Sequence, residues 1–228
     1  MRYLILLILS ILSIQNGQSQ INEIGLFIGG SNFIGDVGAT DYISPNQLAI
    51  GGLYKWNRSS RHSYRFSILF SELEGVDLDS NDPRRIQRGY EFSSKITELS
   101  LGMEFTFLDF NLHTGKKVAT PYLYSGISVA KHDDHFFSGG QQISETTSSW
   151  AYGIPMVLGF KTRFIDQLIL GLEVGARYTF SDGIDGSFPS NEANQSFQFG
   201  NINNNDWYVF SGITLTYTFG LNPCYCVN

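Results

Sequence analysis

Charge is scarce in this sequence: 16% of its 228 residues are Asp, Glu, Lys or Arg, where a soluble domain carries roughly 25%. Much of the surface is therefore expected to meet something other than water. The little charge present sums to −6 with a pI near 5.1, so the basic footprint of a nucleic-acid binder is missing and that class is excluded. No stretch beyond the first 20 residues approaches the roughly 18 consecutive apolar positions of a transmembrane helix. A sustained helical period is lacking too. Cysteine is nearly absent, with Cys224 and Cys226 confined to the final segment LNPCYCVN. No cysteine follows the apolar N-terminal run, which argues against a lipoprotein anchor.

That run opens the chain. MRYLILLILSILSIQNGQSQ has one cation (Arg2), an apolar core from Tyr3 to Ile14 and small residues at Gly17 and Ser19. It reads as a secretory signal peptide over 1–19, cleaved near Ser19 or Gln20, and it is too short to span a bilayer comfortably. The remainder is long enough for one domain, assigned here to 20–219, followed by a tail, 220–228.

What fills that domain is alternation of period two. Eight runs show it: 23–33, 47–56, 62–74, 94–107, 120–131, 150–163, 167–181 and 206–219. In LGLEVGARYTF, Leu170, Leu172, Val174, Ala176, Tyr178 and Phe180 oppose Gly171, Glu173, Gly175, Arg177 and Thr179. Such runs exceed the usual soluble strand of about 5 or 6 residues and suit a tilted bilayer crossing. Connections alternate too, short after the second and sixth runs, moderate after the fourth, long and polar after the first, third, fifth and seventh. These features predict an all-β fold: an eight-stranded antiparallel transmembrane β-barrel, closed and up-and-down, with short periplasmic turns and long extracellular loops. Aromatics support two interfacial girdles. Trp150, Trp207, Tyr178 and Phe180 lie at the long-loop ends, and Trp56, Tyr64, Phe107, Phe160, Tyr217 and Phe219 at the other.

The mid-strand charges Lys55, Arg65, Glu98, Glu104, Lys161, Arg163, Glu173 and Arg177 all share parity with the Gly/Ser/Thr face. A cation facing lipid at mid-depth costs roughly 2–4 kcal/mol, so these side chains belong inside, where they must pair. The expected pairs are Glu98 with Arg177 toward the long loops, and Glu104 with Arg65 or Lys161 lower down. Little room for a pore would remain.

Chemistry needs a constellation, and the sequence offers none of strength. His132, Asp133, Asp134 and His135 form HDDH in the third long connection. Two His three apart outside a helix read as a solvated acidic loop rather than a metal site. His62 and His113 fall in the short-turn connections, away from any catalytic set. The second long loop mixes Asp77, Asp79 and Asp82 with Arg84, Arg85 and Arg88, a cluster that reads as hydrated, with lipopolysaccharide phosphate or a protein as possible contacts. No enzyme activity, cofactor or metal is expected. In the tail Pro223 disfavours further strand, and Cys224 and Cys226 are open to three fates: a bridge to another protein, a small local ring, or free thiols.

The stretches EIGLFIGGSNFIGDVG, TELSLGMEFTF, TPYLYSGISV, GIPMVLGFK, LGLEVGARYTFSDGIDG and WYVFSGITLTYTF, in this order, resemble PorG-type outer-membrane barrels of the Bacteroidota type IX secretion system, the DUF6089 family. FIGDVG and YTFSDGIDG are the more specific of them. The resemblance implies a noncatalytic part of a secretion and gliding machine that seats the periplasmic PorK/PorN ring (GldK/GldN in gliding bacteria) against the outer membrane. The K component is a lipoprotein. On that reading Pro223, Cys224, Tyr225 and Cys226 would bind the partner, with Cys224 or Cys226 joined or close to the ring lipoprotein. Gly212, Leu215 and Tyr217 are similar to the C-terminal signal of barrel assembly. The competing function is a small barrel acting as a surface adhesin or a narrow porin.

Overall fold

Side chains that alternate between apolar and polar can satisfy both faces of a sheet only if one solvent lies on each side. In the computed structural model, which describes residues 21–112, 118–165, 167–201 and 204–220, the sheet closes on itself. The strands are β1 (Ile21–Ile34), β2 (Gln47–Asn57), β3 (His62–Val76), β4 (Glu91–Thr106), β5 (Ala119–Ser138), β6 (Gln141–Ile165), β7 (Leu168–Thr179) and β8 (Trp207–Phe219). Each pairs antiparallel with the next, and β8 returns to β1, with Ile28 opposite Ile213 and Asn22 opposite Phe219. The fold is a closed, eight-stranded, up-and-down barrel, which leaves no sheet edge to satisfy within the wall.

Outward positions carry Ile24, Leu26, Ile28, Ile50, Phe66, Leu101, Ile127, Leu158, Leu172 and Leu215, all exposed. This band encircles the molecule, far beyond the few hundred Å² of apolar patch a soluble monomer tolerates. Acyl chains are its natural solvent. At the short-turn rim Trp56 stacks on Tyr64 with ring centroids 5.4 Å apart, and at the long-loop rim Tyr178 meets Trp207 at 4.9 Å.

Inward positions form two apolar layers with charge between them. Phe27, Leu53, Leu69, Leu73, Phe92 and Phe210 pack beneath the long loops, and Phe110, Leu112 and Ile169 close the short-turn end.

One connection departs from the sequence expectation. The segment between β5 and β6 is no long polar loop: the two strands run on together to a turn at Gly139–Gly140. Both glycines have positive φ (62° and 84°), the geometry of a two-residue hairpin turn. The remaining long connections keep their expected places at 35–46, 77–90 and 180–206. The segment 77–90 contains a helical turn, α1 (Pro83–Arg88), capped by Asp82, whose carboxylate accepts from Arg84 N at 2.9 Å. The signal-peptide reading and the tail with Pro223, Cys224, Tyr225 and Cys226 lie outside the described residues, as does His113.

Candidate functional site

The interior is the first candidate, because eight ionisable side chains are buried within the wall: Glu23, Glu98, Glu104 and Glu173 against Lys55, Arg65, Lys161 and Arg177. Four negative and four positive groups leave the lumen neutral. Lowest in the plug, the Glu104 carboxylate takes an ammonium on each oxygen, Lys55 Nζ and Lys161 Nζ, both at 2.6 Å. Above it, Arg65 grips Glu173 bidentately at 2.7 and 2.9 Å, and Tyr122 Oη donates to the same carboxylate at 2.7 Å. Paired, planar donors of this kind are the strongest hydrogen bonds a carboxylate finds. Highest, Arg177 Nε lies 3.2 Å from Glu98 Oε2, which also accepts from Tyr208 Oη at 2.6 Å. Of the two partners left open for Glu104, the structure places Lys161; Arg65 goes to Glu173 across the barrel. Arg163 stands at the short-turn rim and donates to the Leu112 carbonyl at 3.0 Å.

Sequence reasoning missed Glu23, which accepts from Asn57 Nδ2 at 2.8 Å and Thr216 Oγ1 at 2.9 Å. It also missed the tyrosine hydroxyls that complete each upper pair. Parity carried the signal in each case, since Glu23, Tyr122 and Tyr208 all occupy inward positions.

The second candidate is the mouth. The two stretches singled out as most specific, FIGDVG and SDGIDG, meet here: Asp185 Oδ2 accepts from Asp36 N at 2.8 Å and Val37 N at 3.1 Å. Ile184 drops into the apolar layer fully buried, and Asp206 holds its backbone N–H at 2.9 Å. Gly186 has φ +74°, and a side chain there would strike the His135 ring. Opposite, the mixed-charge loop is a clasp rather than a hydrated cluster. Arg88 Nε donates to the buried Asp77 at 2.7 Å and its Nη2 to the Asp36 carbonyl at 2.7 Å, while Arg85 Nη1 holds the Gly38 carbonyl at 2.7 Å.

The HDDH run likewise departs from a solvated loop. A register shift between Asp133 and His135 breaks the alternation of β5, so His132, Asp134 and His135 are all buried while Asp133 remains exposed. A bulge re-aims a side chain in this way. Among the described residues no group of three or more His, Cys, Asp or Glu is arranged to hold a metal ion.

Electrostatics sets the mouth apart from the plug. Burial, followed by the nearby carboxylates of Asp185 and Asp36, pushes Asp182 up to about 7. Burial also raises Asp185, and raises Asp206 strongly. Asp77 moves the other way: burial would raise it, but the hydrogen bonds from Arg88, Gly38 N and Tyr90 N outweigh that and hold it below the usual carboxylate range. Among the described residues the short-turn side carries an exposed ion pair, Arg61 Nε to Asp109 Oδ1 at 2.7 Å. Ser59 Oγ lies 3.3 Å from His62 Nδ1, but it also caps the backbone N–H groups of Arg61 and His62, marking a turn.

A neutral, side-chain-filled lumen inside an apolar-coated closed wall defines a plugged eight-stranded β-barrel of the membrane-spanning class. The sequence places it further: residues 2–228 match the family described as Domain of unknown function (DUF6089), and the chain belongs to that family. No curated protein matches it. Similar solved structures include Ail, the attachment invasion locus protein of Yersinia pestis, in complex with the heparin analogue sucrose octasulfate, at 11% identity and a TM-score of 0.48, covering 88% of this chain and 99% of that one. The N-terminal β-barrel domain of Pseudomonas aeruginosa OprF is similar at 12% identity and a TM-score of 0.44, covering 90% and 100%. The outer membrane protein OprG from Pseudomonas aeruginosa follows at 8% and 0.43, covering 91% and 99%.

Proposed function

We propose that this chain is a non-enzymatic outer-membrane component of the type IX secretion and gliding machinery, which anchors the periplasmic PorK/PorN (GldK/GldN) ring through its short turns and the 220–228 tail. The observation that carries the reading is the plug. A lumen occupied by the buried pairs Arg65–Glu173 and Arg177–Glu98 and the Lys55–Glu104–Lys161 trio favours a barrel that works through its surfaces over one that conducts solute. The resemblance of its strand sequences to PorG-type barrels supplies the partner, and an exported N-terminus with short turns on the inner side supplies the orientation. Cys224 or Cys226 then lies where a bridge to the ring lipoprotein is within reach. The test is copurification from membranes in mild detergent: the ring proteins are expected with the native chain, together with a reductant-sensitive adduct on non-reducing gels. Replacing both cysteines by Ser with no change in secretion, ring recovery or gel pattern would overturn the tail's role.

A surface adhesin is the second reading, favoured by one feature. The β5–β6 hairpin extends past Gly153, the last β6 residue paired with β7, to its tip at Gly139–Gly140. Deleting its tip would abolish attachment in an adhesin and spare ring recovery in an anchor.

A further inference from the structure

The connection 35–46, between β1 and β2, does not rise from the barrel; part of it folds down over the outside wall. Asn32 points outward on β1 yet is only 4% exposed, because its Nδ2 donates to the Asp41 carbonyl at 2.9 Å and its Oδ1 accepts from Ser44 N at 3.4 Å. Val209, on the outward face of β8, is similarly covered at 3%. The fold-over leaves a furrow of about 570 Å³ between Tyr42 and Ile43 of this flap and Met156, Val174 and Ala176 of the wall, with Trp207 at its edge. That size falls in the usual range of small-molecule sites, roughly 300–1,000 Å³.

The furrow continues downward. A second hollow of about 520 Å³ shares Leu158 and Val174 with the first and runs on past Leu172 and Ile213. On its β8 side the small outward residue Ser211 stands next to the larger Ile213. Tyr42 (80% exposed) and Ile43 (61%) stand over it with no protein cover. The lining is apolar apart from Asn204, Ser211 and Glu173, whose carboxylate turns into the lumen to meet Arg65, and no Lys or Arg lines it. Phosphate finds no counter-charge there, whereas a hydrocarbon chain finds walls, floor and a lid continuous with the surface that already faces acyl chains.

We propose that the furrow along β6, β7 and β8 is a binding site for one acyl chain of a bilayer lipid, held under the Tyr42–Ile43 flap. It rests on the membrane reading above. A chain held there exchanges more slowly than those passing over the open belt, and it keeps the flap against the wall.

The chain has three tryptophans, which makes the test direct. Trp56→Phe with Trp150→Phe leaves Trp207 at the furrow; Trp56→Phe with Trp207→Phe leaves Trp150 on the open belt at the same rim. Both full-length proteins are reconstituted at high lipid-to-protein ratio in phosphatidylcholine vesicles containing dibrominated acyl chains, then diluted into unbrominated vesicles. Trp207 quenching is expected to outlast that of Trp150 several-fold in time, and Ala176→Phe, which fills the furrow, to erase the difference. Ile43→Ser, which strips the lid without touching the wall, serves as the second variant should Ala176→Phe not fold. Equal decay for Trp207 and Trp150, or persistence unchanged by both variants, overturns the site. Protection of Trp207 that grows with protein density would instead make a second copy the occupant, and also overturns it. No quenching of either tryptophan would mean that the wall never meets lipid, a failure of the membrane reading itself.

Discussion

At Glu104 one carboxylate holds two ammonium groups, so the partners are not equivalent. Glu104→Ala leaves Lys55 and Lys161 buried without a counter-charge and is expected to cost about 3–5 kcal/mol. Lys55→Met keeps the Lys161 pair and is expected to cost less than half of that. Urea titration of the heat-modifiable gel band measures both. Arg65→Met, which strips Glu173 of its only bidentate partner, belongs with the expensive class. Parity alone made Arg65, Glu98, Glu104, Lys161, Glu173 and Arg177 legible as interior residues, since a one-residue error would have placed cations in lipid. Parity together with position along the strands also paired Glu98 with Arg177 and gave Lys161 as one of two partners for Glu104, but it did not pair Glu173 with Arg65. Arg65 and Glu173 are 108 positions apart and meet across the lumen, where height and azimuth depend on strand stagger that no single run encodes. The hydroxyls of Tyr122 and Tyr208 were illegible for a similar reason: an inward tyrosine reads as bulk until its carboxylate is located.

Elements outside the wall were read less well, and each miss has a cause. Gly139–Gly140 between two alternating stretches is a hairpin signal, yet the polar composition of 132–149 drew it toward loop. The bulge at Asp133/His135 then hid which of the HDDH side chains turn inward, because a period-two reading assumes an unbroken ladder. The Asp77–Arg88 clasp depends on two segments closing over the mouth, which local charge patterning does not reveal. The same mouth makes a pH prediction. Asp182 stands at about 7 against an ordinary 3.8, so the folded mouth holds its proton more tightly than an opened one. That contribution is whole below the ordinary value and is lost as pH climbs through about 7. Asp185 and Asp206 are shifted in the same direction, whereas Asp77, held low, loses its contribution only in acid. Amide exchange in 180–206 is therefore expected to show a larger opening equilibrium at pH 8 than at pH 5.5, after correction for the intrinsic rate. Asp182→Asn should shrink that difference.

For the molecule as a whole, architecture was legible almost completely: eight runs, eight strands, closed in sequence order. Alternation is repeated in every strand, so errors at individual boundaries cancel, and the scarcity of charge pointed to an apolar exterior. The prediction at this scale concerns transport. Reconstituted in planar bilayers the protein is expected to show no unit conductance, and steady channels of any size would contradict the filled lumen. Truncating residues 134–147 and joining Asp133 to Ser148 through Asn-Gly removes Phe137 from the upper apolar layer but no residue of the ion-pair plug. The wall is expected to keep its heat-modifiable shift while the mouth loses protection from exchange.

The crossing of the ion pairs over the lumen bears on assembly. β7 supplies both Glu173, for Arg65 of β3, and Arg177, for Glu98 of β4. A half-built wall that reached the bilayer without its seventh strand would carry a bare guanidinium and a bare carboxylate into hydrocarbon, a penalty no early intermediate could sustain. Insertion and closure must therefore proceed together, with the polar cargo kept in water until the last two strands arrive.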